Sequence, residues 1–124
     1  MIAYITLGTN DMARAENFYD GLLGEIGAGR VMDNERLTAW ATGPDQPMVA
    51  VINPLDEKPA TPGNGVMISI GAENPAAVDR LYAKALELGG TDEGAPGVRL
   101  DMFYIGYFRD LDGNKLNFFC MNDA

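Results

Sequence analysis

Alternating apolar and polar residues mark the start of the chain. Apolar side chains occupy every second position of residues 2–8, which predicts a half-buried strand. Apolar positions at helical spacing follow, with Asn10 or Asp11 able to cap the helix and Gly24 able to end it. Shorter strand patterns separated by polar turns come next, and they cover residues 25–32, 36–42 and 48–53.

The same order of patterns returns in the second half. A strand pattern at residues 66–70 precedes a helix that begins after Asn74 and Pro75 and runs to about residue 88. The dipeptide Asp112-Gly113 is a strong hairpin signal between two further strands. The strand patterns after this helix, the first of them weak, lie at residues 91–97, 102–109 and 115–121.

The two halves match residue by residue. Ile5 falls on Ile68 and Tyr19 on Tyr82, a shift of 63 residues, and the glycines at 8 and 27 fall on those at 71 and 90. This agreement with the independently predicted elements favours a tandem duplication. We therefore expect a single α+β domain over residues 1–124. It would consist of module one at about 1–53, a linker rich in proline and glycine at about 54–64, and module two at about 65–124.

Charge and composition narrow the function. The 124 residues include 9 basic and 18 acidic side chains, a net charge of −9, which makes nucleic-acid binding unfavourable and a cationic ligand electrostatically welcome. No apolar run approaches the roughly 20 residues of a membrane span, and the start lacks a signal-peptide pattern. We expect a cytoplasmic protein that partners neither membrane nor nucleic acid.

Two residue counts limit the chemistry further. The chain contains no histidine, which excludes imidazole bases and histidine-containing metal sites. One cysteine, Cys120, excludes an internal disulfide framework and a zinc site with several thiolates.

The chain resembles the vicinal oxygen chelate superfamily, which includes glyoxalase I, bleomycin-resistance proteins, fosfomycin-resistance proteins and extradiol dioxygenases. The resemblance covers nearly the whole chain and points to a small bacterial glyoxalase-like branch. It implies two tandem βαβββ modules whose curled mixed sheets form a cup, and a homodimer. The segments that carry it are residues 4–8 (YITLG), 18–24 (FYDGLLG), 61–65 (TPGNG), 89–97 (GGTDEGAPG) and 109–115 (RDLDGNK).

The metal ligands of the superfamily are absent at the matching positions. The resemblance places them at Tyr4, Met67 and Asn117, and at a fourth position within residues 48–52, which contain no ligand type. A phenol, a thioether and an amide do not form a site for zinc or a hard cation. We expect no metal and no cofactor, and the Lewis-acid chemistry of the superfamily is not carried over.

The remaining residues of the cup suggest an organic ligand. Polarisable methionine, aromatic rings and a few polar groups are typical of a small-molecule cleft. Tyr4 and Met67 could instead fill a collapsed cup, Trp40 could belong to the core or a dimer interface, and Asn117 could satisfy a backbone group. The predicted ligand-binding residues are Tyr4, Trp40, Met67, Tyr104, Asn117 and Phe119.

Three functions follow from these residues. The first is metal-independent binding of a small organic molecule, cationic or aromatic, as the resemblance to bleomycin-resistance proteins implies. The second is a glyoxalase-like lyase, isomerase or dioxygenase-type enzyme, metal-free or with atypical ligands, with Tyr4 or a carboxylate as acid or base. The third is an interaction domain in which Trp40 and the tyrosines serve dimerisation.

Overall fold

A strand, a helix and three further strands make up each half of the chain in the computed structural model, which describes residues 1 to 123. These halves are separate units, unit 1 over residues 1–62 and unit 2 from residue 63 onward. Unit 1 contains β1 (Tyr4–Gly8), α1 (Met12–Gly24), β2 (Gly29–Asp33), β3 (Leu37–Ala41) and β4 (Met48–Ile52). Unit 2 contains β5 (Ile68–Gly71), α2 (Pro75–Glu87), β6 (Thr91–Arg99), β7 (Phe103–Arg109) and β8 (Lys115–Met121).

Both units have the same sheet topology. The strand order is β1-β4-β3-β2 in unit 1 and β5-β8-β7-β6 in unit 2. The first and last strands of each unit are parallel, and the other neighbours are antiparallel. The α+β prediction of two βαβββ modules is therefore confirmed.

Polar caps fix the starts of both helices. A carboxylate oxygen of Asp11 accepts from the Arg14 backbone N–H at 3.1 Å, and the Asn74 side chain accepts from the Ala77 N–H at 2.8 Å. Of the two predicted caps of α1, Asp11 is the one used. The neighbouring Asn10 instead holds the backbone of Ala60, with its Oδ1 2.7 Å from the Ala60 nitrogen.

Each helix covers one face of its own sheet. In unit 1, Tyr19 and Trp40 pack with ring centres 5.6 Å apart. In unit 2, the rings of Phe108 and Phe118 stack at 5.5 Å, and α2 contributes Val78 and Leu81 to the same core. The opposite face of each sheet, which we call the helix-distal face, presents the alternate residues of every strand.

Element boundaries differ from the sequence predictions where turns intervene. The strand expected at 25–32 begins only at Gly29, because the end of α1 continues into a turn in which Gly27 has φ +80°. The strand expected at 66–70 begins at Ile68, after a turn in which the Val66 N–H donates to the Gly63 carbonyl. The weak strand expected at 91–97 extends to Arg99, with irregular register near Gly94. Among residues 1–123, no helix is long and apolar enough to span a membrane.

Candidate functional site

The helix-distal face of unit 2 is built by alternation along its strands. Tyr107 of β7 pairs with Asn117 of β8, and Ile105 pairs with Phe119. On the other side of β8, Ser69 of β5 pairs with Asn117. Because residues directly paired across a ladder point to the same face, these side chains form one surface.

Asn117 is the unusual residue of this face. Its side chain is polar, yet the residue is only 2% exposed. The amide nitrogen Nδ2 donates to the Met67 sulfur at 3.5 Å, and a thioether is a weak acceptor. The amide oxygen Oδ1 is buried and has no hydrogen-bond partner among residues 1–123. A buried unpaired acceptor costs about 1–3 kcal/mol, so its retention calls for an explanation.

Aromatic rings and basic side chains share the helix-distal face with Asn117. Phe103 and Phe119 lie 5.1 Å apart between ring centres. The guanidinium carbon of Arg99 lies 5.8 Å from the centre of the Tyr107 ring, and the Lys115 ammonium lies 5.3 Å from it. Cations near the face of a tyrosine ring are attracted by its quadrupole, so Tyr107 helps to hold both.

Glu93 partly neutralises this basic group. Its carboxylate lies 2.8 Å from the Arg109 guanidinium and 4.0 Å from the Lys115 ammonium. The hydrogen bond from Arg109 is the main reason that the pKa of Glu93 is lowered, so the carboxylate is ionised at neutral pH. Its short contact is with Arg109, which leaves Lys115 only weakly paired.

The helix-distal face of unit 1 carries a small, apolar pocket. Its volume is about 170 Å³, and Tyr4 at its edge is 56% exposed. The tyrosine hydroxyl is the one polar side-chain group of this lining, and the small Ala39 and Ala50 form part of it. The lining residues are Tyr4, Met32, Leu37, Ala39, Met48 and Ala50.

Trp40, also predicted as a ligand-binding residue, lies on the opposite side of this sheet, against α1. It is 1% exposed, and its indole Nε1 donates to Asp20 of α1 at 2.9 Å. Its strand neighbour Ala39 faces the pocket, and alternation therefore turns Trp40 toward the helix.

Tyr104, another predicted ligand-binding residue, also lies on the helix side of its sheet. Its hydroxyl donates to Asp79 of α2 at 2.7 Å, on the helix side of the sheet. This hydrogen bond is the main cause of a raised pKa for Tyr104, with burial adding to it. On β7, the side chains of Phe103, Ile105 and Tyr107 lie on the helix-distal face. The sequence alone did not settle the side of the strand near this hairpin. Counting outward from the Asp112-Gly113 hairpin gives this pairing, because Arg109 opposite Lys115 puts Tyr107 opposite Asn117.

Two other candidate groups have structural surroundings. The Asp110 carboxylate accepts from the backbone N–H groups of Asp112 and Asn114, both at 2.9 Å, within the tight turn between β7 and β8. Cys120 lies on the helix side of β8, where burial raises the pKa of its thiol. Neither arrangement leaves an activated nucleophile or base on a helix-distal face.

A wider polar groove of about 660 Å³ lies elsewhere in unit 1. The acidic Glu35 and Glu57 and the basic Arg36 and Lys58 line it together, so their charges offset one another. Its walls come from loops and strand ends, and it includes none of the predicted ligand-binding residues.

The matching positions do not fit a metal of the superfamily type. Pairing of Thr6 with Ala50 and of Ser69 with Asn117 makes Ala50 the counterpart of Asn117, and an alanine offers no ligand. Tyr4 sits beside apolar neighbours, and Asn117 turns its nitrogen toward Met67. Among residues 1–123, no three histidine, cysteine, aspartate or glutamate side chains cluster as a metal site would require.

Comparisons with known proteins agree with this architecture. The model of the Glyoxalase/Bleomycin resistance protein/Dioxygenase superfamily matches residues 1–118. A glyoxalase/bleomycin resistance protein from Albidiferax ferrireducens T118 is 34% identical, with 96% of this chain and 97% of that chain covered and a TM-score of 0.88. A hypothetical protein from S. aureus is 28% identical, with 96% and 91% covered and a TM-score of 0.76.

The chain belongs to the glyoxalase/bleomycin resistance protein/dioxygenase superfamily. A lactoylglutathione lyase from Agrobacterium tumefaciens shares the fold at 21% identity, a TM-score of 0.72 and coverage of 96% of this chain and 92% of that one. No curated protein matches the chain significantly. Family membership was therefore predictable from the sequence, and function has to be argued from the site.

Proposed function

We propose that this protein binds a small organic molecule on the helix-distal faces of its sheets without using a metal. Tyr4 would contact a ligand on unit 1, and Met67, Asn117 and Phe119 would contact a ligand on unit 2. The observation that carries this proposal is the unpaired Oδ1 of Asn117 amid methionine and aromatic side chains. A ligand donor would satisfy that oxygen, while the apolar groups around it would bury the rest of the molecule.

The titrating groups favour binding over acid–base catalysis. A general acid or base works best with a pKa near the operating pH. Among residues 1–123, every resolved shift moves the pKa away from neutrality: lowered for Asp20, Asp92 and Glu93, and raised for the groups that titrate above pH 7. Those raised groups are Arg30, Tyr82, Tyr104, Arg109 and Cys120. The alternative of a glyoxalase-like lyase, isomerase or dioxygenase therefore gains no support from them.

A homodimer in the cytoplasm is part of the same proposal. Val31 and Met32 on the edge strand β2 are exposed, and apolar edge residues favour association. Light scattering should give about twice the 13.4 kDa of one chain at micromolar concentration, and a mass of one chain would contradict dimerisation. The single, buried Cys120 is compatible with a reducing compartment.

A thermal-shift screen of chelator-treated protein tests the binding function. Because a specific ligand stabilises the folded state by mass action, the midpoint should rise with aromatic organic compounds and stay unchanged with Mg²⁺, Mn²⁺ and Zn²⁺. The variant Phe119→Ala should abolish the organic shift. The control Leu55→Ala, at a side chain that is exposed in a loop of unit 1, should keep it. A shift with a metal and none with any organic compound would refute the proposal.

A further inference from the structure

We propose that the site on unit 2 is selective for an organic carboxylate that also carries a hydrogen-bond donor about one aromatic ring away. This inference rests on the proposed binding function and names its ligand class. Arg99 and Lys115 would hold the carboxylate, and Oδ1 of Asn117 would accept from the hydroxyl or amino group at the other end.

The basic side chains supply the anion-binding end. Arg99 and Lys115 each lie within 6 Å of the centre of the Tyr107 ring. Among residues 1–123, no carboxylate lies within ion-pairing distance of Arg99. The Arg99 guanidinium donates instead to the backbone carbonyl groups of Ala95, at 2.8 Å, and Val98, at 3.3 Å. Glu93 makes its short contact with Arg109 and reaches Lys115 only at 4.0 Å. Arg99 therefore has no anionic partner among the described residues, and Lys115 has only a distant one.

Local charge outweighs the net charge here. The protein carries −9 overall, which by itself would favour a cation. At physiological ionic strength, however, charges beyond about 8 Å are largely screened, so a bound ligand responds mainly to its near neighbours. Those neighbours are Arg99, Lys115 and the pair of Arg109 with Glu93, whose sum is positive.

Asn117 supplies the hydrogen-bond acceptor for the other end of the ligand. Its Oδ1 can only accept a hydrogen bond, so the group that meets it must be a hydroxyl, amine or amide N–H. Met67 covers the amide through one weak contact, and its flexible side chain can move aside at little cost. The backbone positions of Lys115 and Asn117 are two residues apart on β8, roughly 7 Å along a strand. A para-substituted benzene ring spans a similar distance.

Calorimetric titration with four related probes tests the ligand class. The probes are 4-hydroxybenzoate, benzoate, 4-methylphenol and 4-hydroxybenzylamine, which keep or lose the carboxylate and the donor one at a time. We expect 4-hydroxybenzoate to bind most tightly. Loss of its hydroxyl should weaken binding up to about tenfold, the range of one net hydrogen bond. The amine should bind most weakly, because Arg99 and Lys115 repel it.

Charge-removing variants locate the effect. Arg99→Gln and Lys115→Gln should each weaken the binding of 4-hydroxybenzoate at least fivefold. Both should leave the affinity for 4-methylphenol unchanged, because only the carboxylate meets these cations. The control Arg80→Gln removes a basic group from the exposed side of α2 and should change neither. Unchanged binding of the carboxylate by both site variants would overturn the inference.

The same titrations separate this inference from the proposed function. Tighter binding of 4-hydroxybenzylamine or 4-methylphenol than of 4-hydroxybenzoate would overturn the carboxylate class and leave organic binding standing. Absence of binding by all four probes, together with no organic shift in the thermal screen, would overturn both.

Discussion

The ammonium group of Lys115 lies 5.3 Å from the centre of the Tyr107 ring, directly beside the pair that Tyr107 forms with Asn117. A basic group, an aromatic ring and a buried amide therefore share one surface of an acidic protein. The net charge determines how the whole protein attracts or repels charged molecules at long range. We propose that the local arrangement decides which end of a ligand is accepted once contact is made.

Replacing Asn117 should stabilise the ligand-free protein. In Asn117→Leu, an apolar side chain of similar size takes the place of a buried acceptor without a partner. We expect a gain of about 1 kcal/mol in the free energy of unfolding, since the desolvation penalty of Oδ1 disappears. Urea unfolding at pH 7 measures it.

A matched control distinguishes this effect from general polarity. Asn114 is also buried, but its Nδ2 donates to Asp110 at 3.0 Å. Asn114→Leu should therefore lower stability by about 1–3 kcal/mol, because it leaves the Asp110 carboxylate short of a donor. A loss of stability in Asn117→Leu as large as in Asn114→Leu would show that Asn117 is a structural amide.

Trp40 should behave as a core residue. Trp40→Phe removes the hydrogen bond to Asp20 and part of the packing with Tyr19, and we expect a cost of about 1–3 kcal/mol. Since Trp40 is the single tryptophan, its quenching by acrylamide reports on this site alone and should be weak in the folded protein. Strong quenching before unfolding would contradict the buried position.

Tyr104 should make stability sensitive to alkaline pH. Its hydrogen bond to Asp79 raises the pKa of the folded state above the ordinary value near 10. The stabilisation is thus complete below about pH 10 and is lost as the pH rises through the folded pKa. Tyr104→Phe should cost roughly 1 kcal/mol at pH 7 and show a smaller further loss above pH 10.

The hydroxyl of Tyr4 provides the control for Tyr104. It has no hydrogen-bond partner among residues 1–123, so Tyr4→Phe should leave the unfolding midpoint at pH 7 within error of the parent. Equal alkaline loss in the parent and in Tyr104→Phe would remove the role assigned to the hydrogen bond with Asp79.

Arg30 should contribute to stability at neutral pH and lose that contribution in acid. Its guanidinium contacts Glu16 at 3.1 Å and Asp20 and Asp33 at 2.8 Å. The hydrogen bond from Arg30 is the main cause of the lowered pKa of Asp20, although burial opposes it. Stabilisation is therefore present above about pH 4, the unfolded value, and fades as the pH falls through the lower folded pKa.

Arg30→Met measures this contribution. The ion pairs are partly exposed, so we expect a loss of at most about 1 kcal/mol at pH 7 and a smaller one near pH 2.5. Arg80→Met on α2 serves as the control, because Arg80 has no ion pair among residues 1–123. A difference between parent and Arg30→Met that grows on acidification would contradict the assigned sign.

The fold was largely predictable because its signals are local and repeated. Alternation around Ile5 and Ile68, the caps Asp11 and Asn74, and the turn at Asp112-Gly113 each specify one element. The exact starts of β2 and β5 were not predictable, since turn residues next to a strand have the same apolar pattern as the strand itself.

The residues of the candidate site were predictable only where the alternation along a strand showed which side chains point away from the helix. Asn117 and Phe119 follow from alternation along β8, and both lie on the helix-distal face. Trp40 and Tyr104 lie on the helix side instead. Aromatic character does not reveal the side of a strand, and a hydrogen bond to a helix carboxylate can hold either ring on the core side. The approach of both Arg99 and Lys115 to Tyr107 depends on pairing across three strands, which no single segment encodes.

Nuclear magnetic resonance of the Asn117 side-chain amide tests the central claim of metal-independent binding most directly. Isotope-labelled protein in excess chelator would be titrated with 4-hydroxybenzoate, and chelator-free protein with Mn²⁺. We predict that the organic ligand shifts the Asn117 amide signals and leaves those of Asn53 in place, while Mn²⁺ causes no selective broadening at Tyr4 or Asn117. Selective broadening by Mn²⁺ at these two residues, without any shift from the organic ligand, would contradict the account.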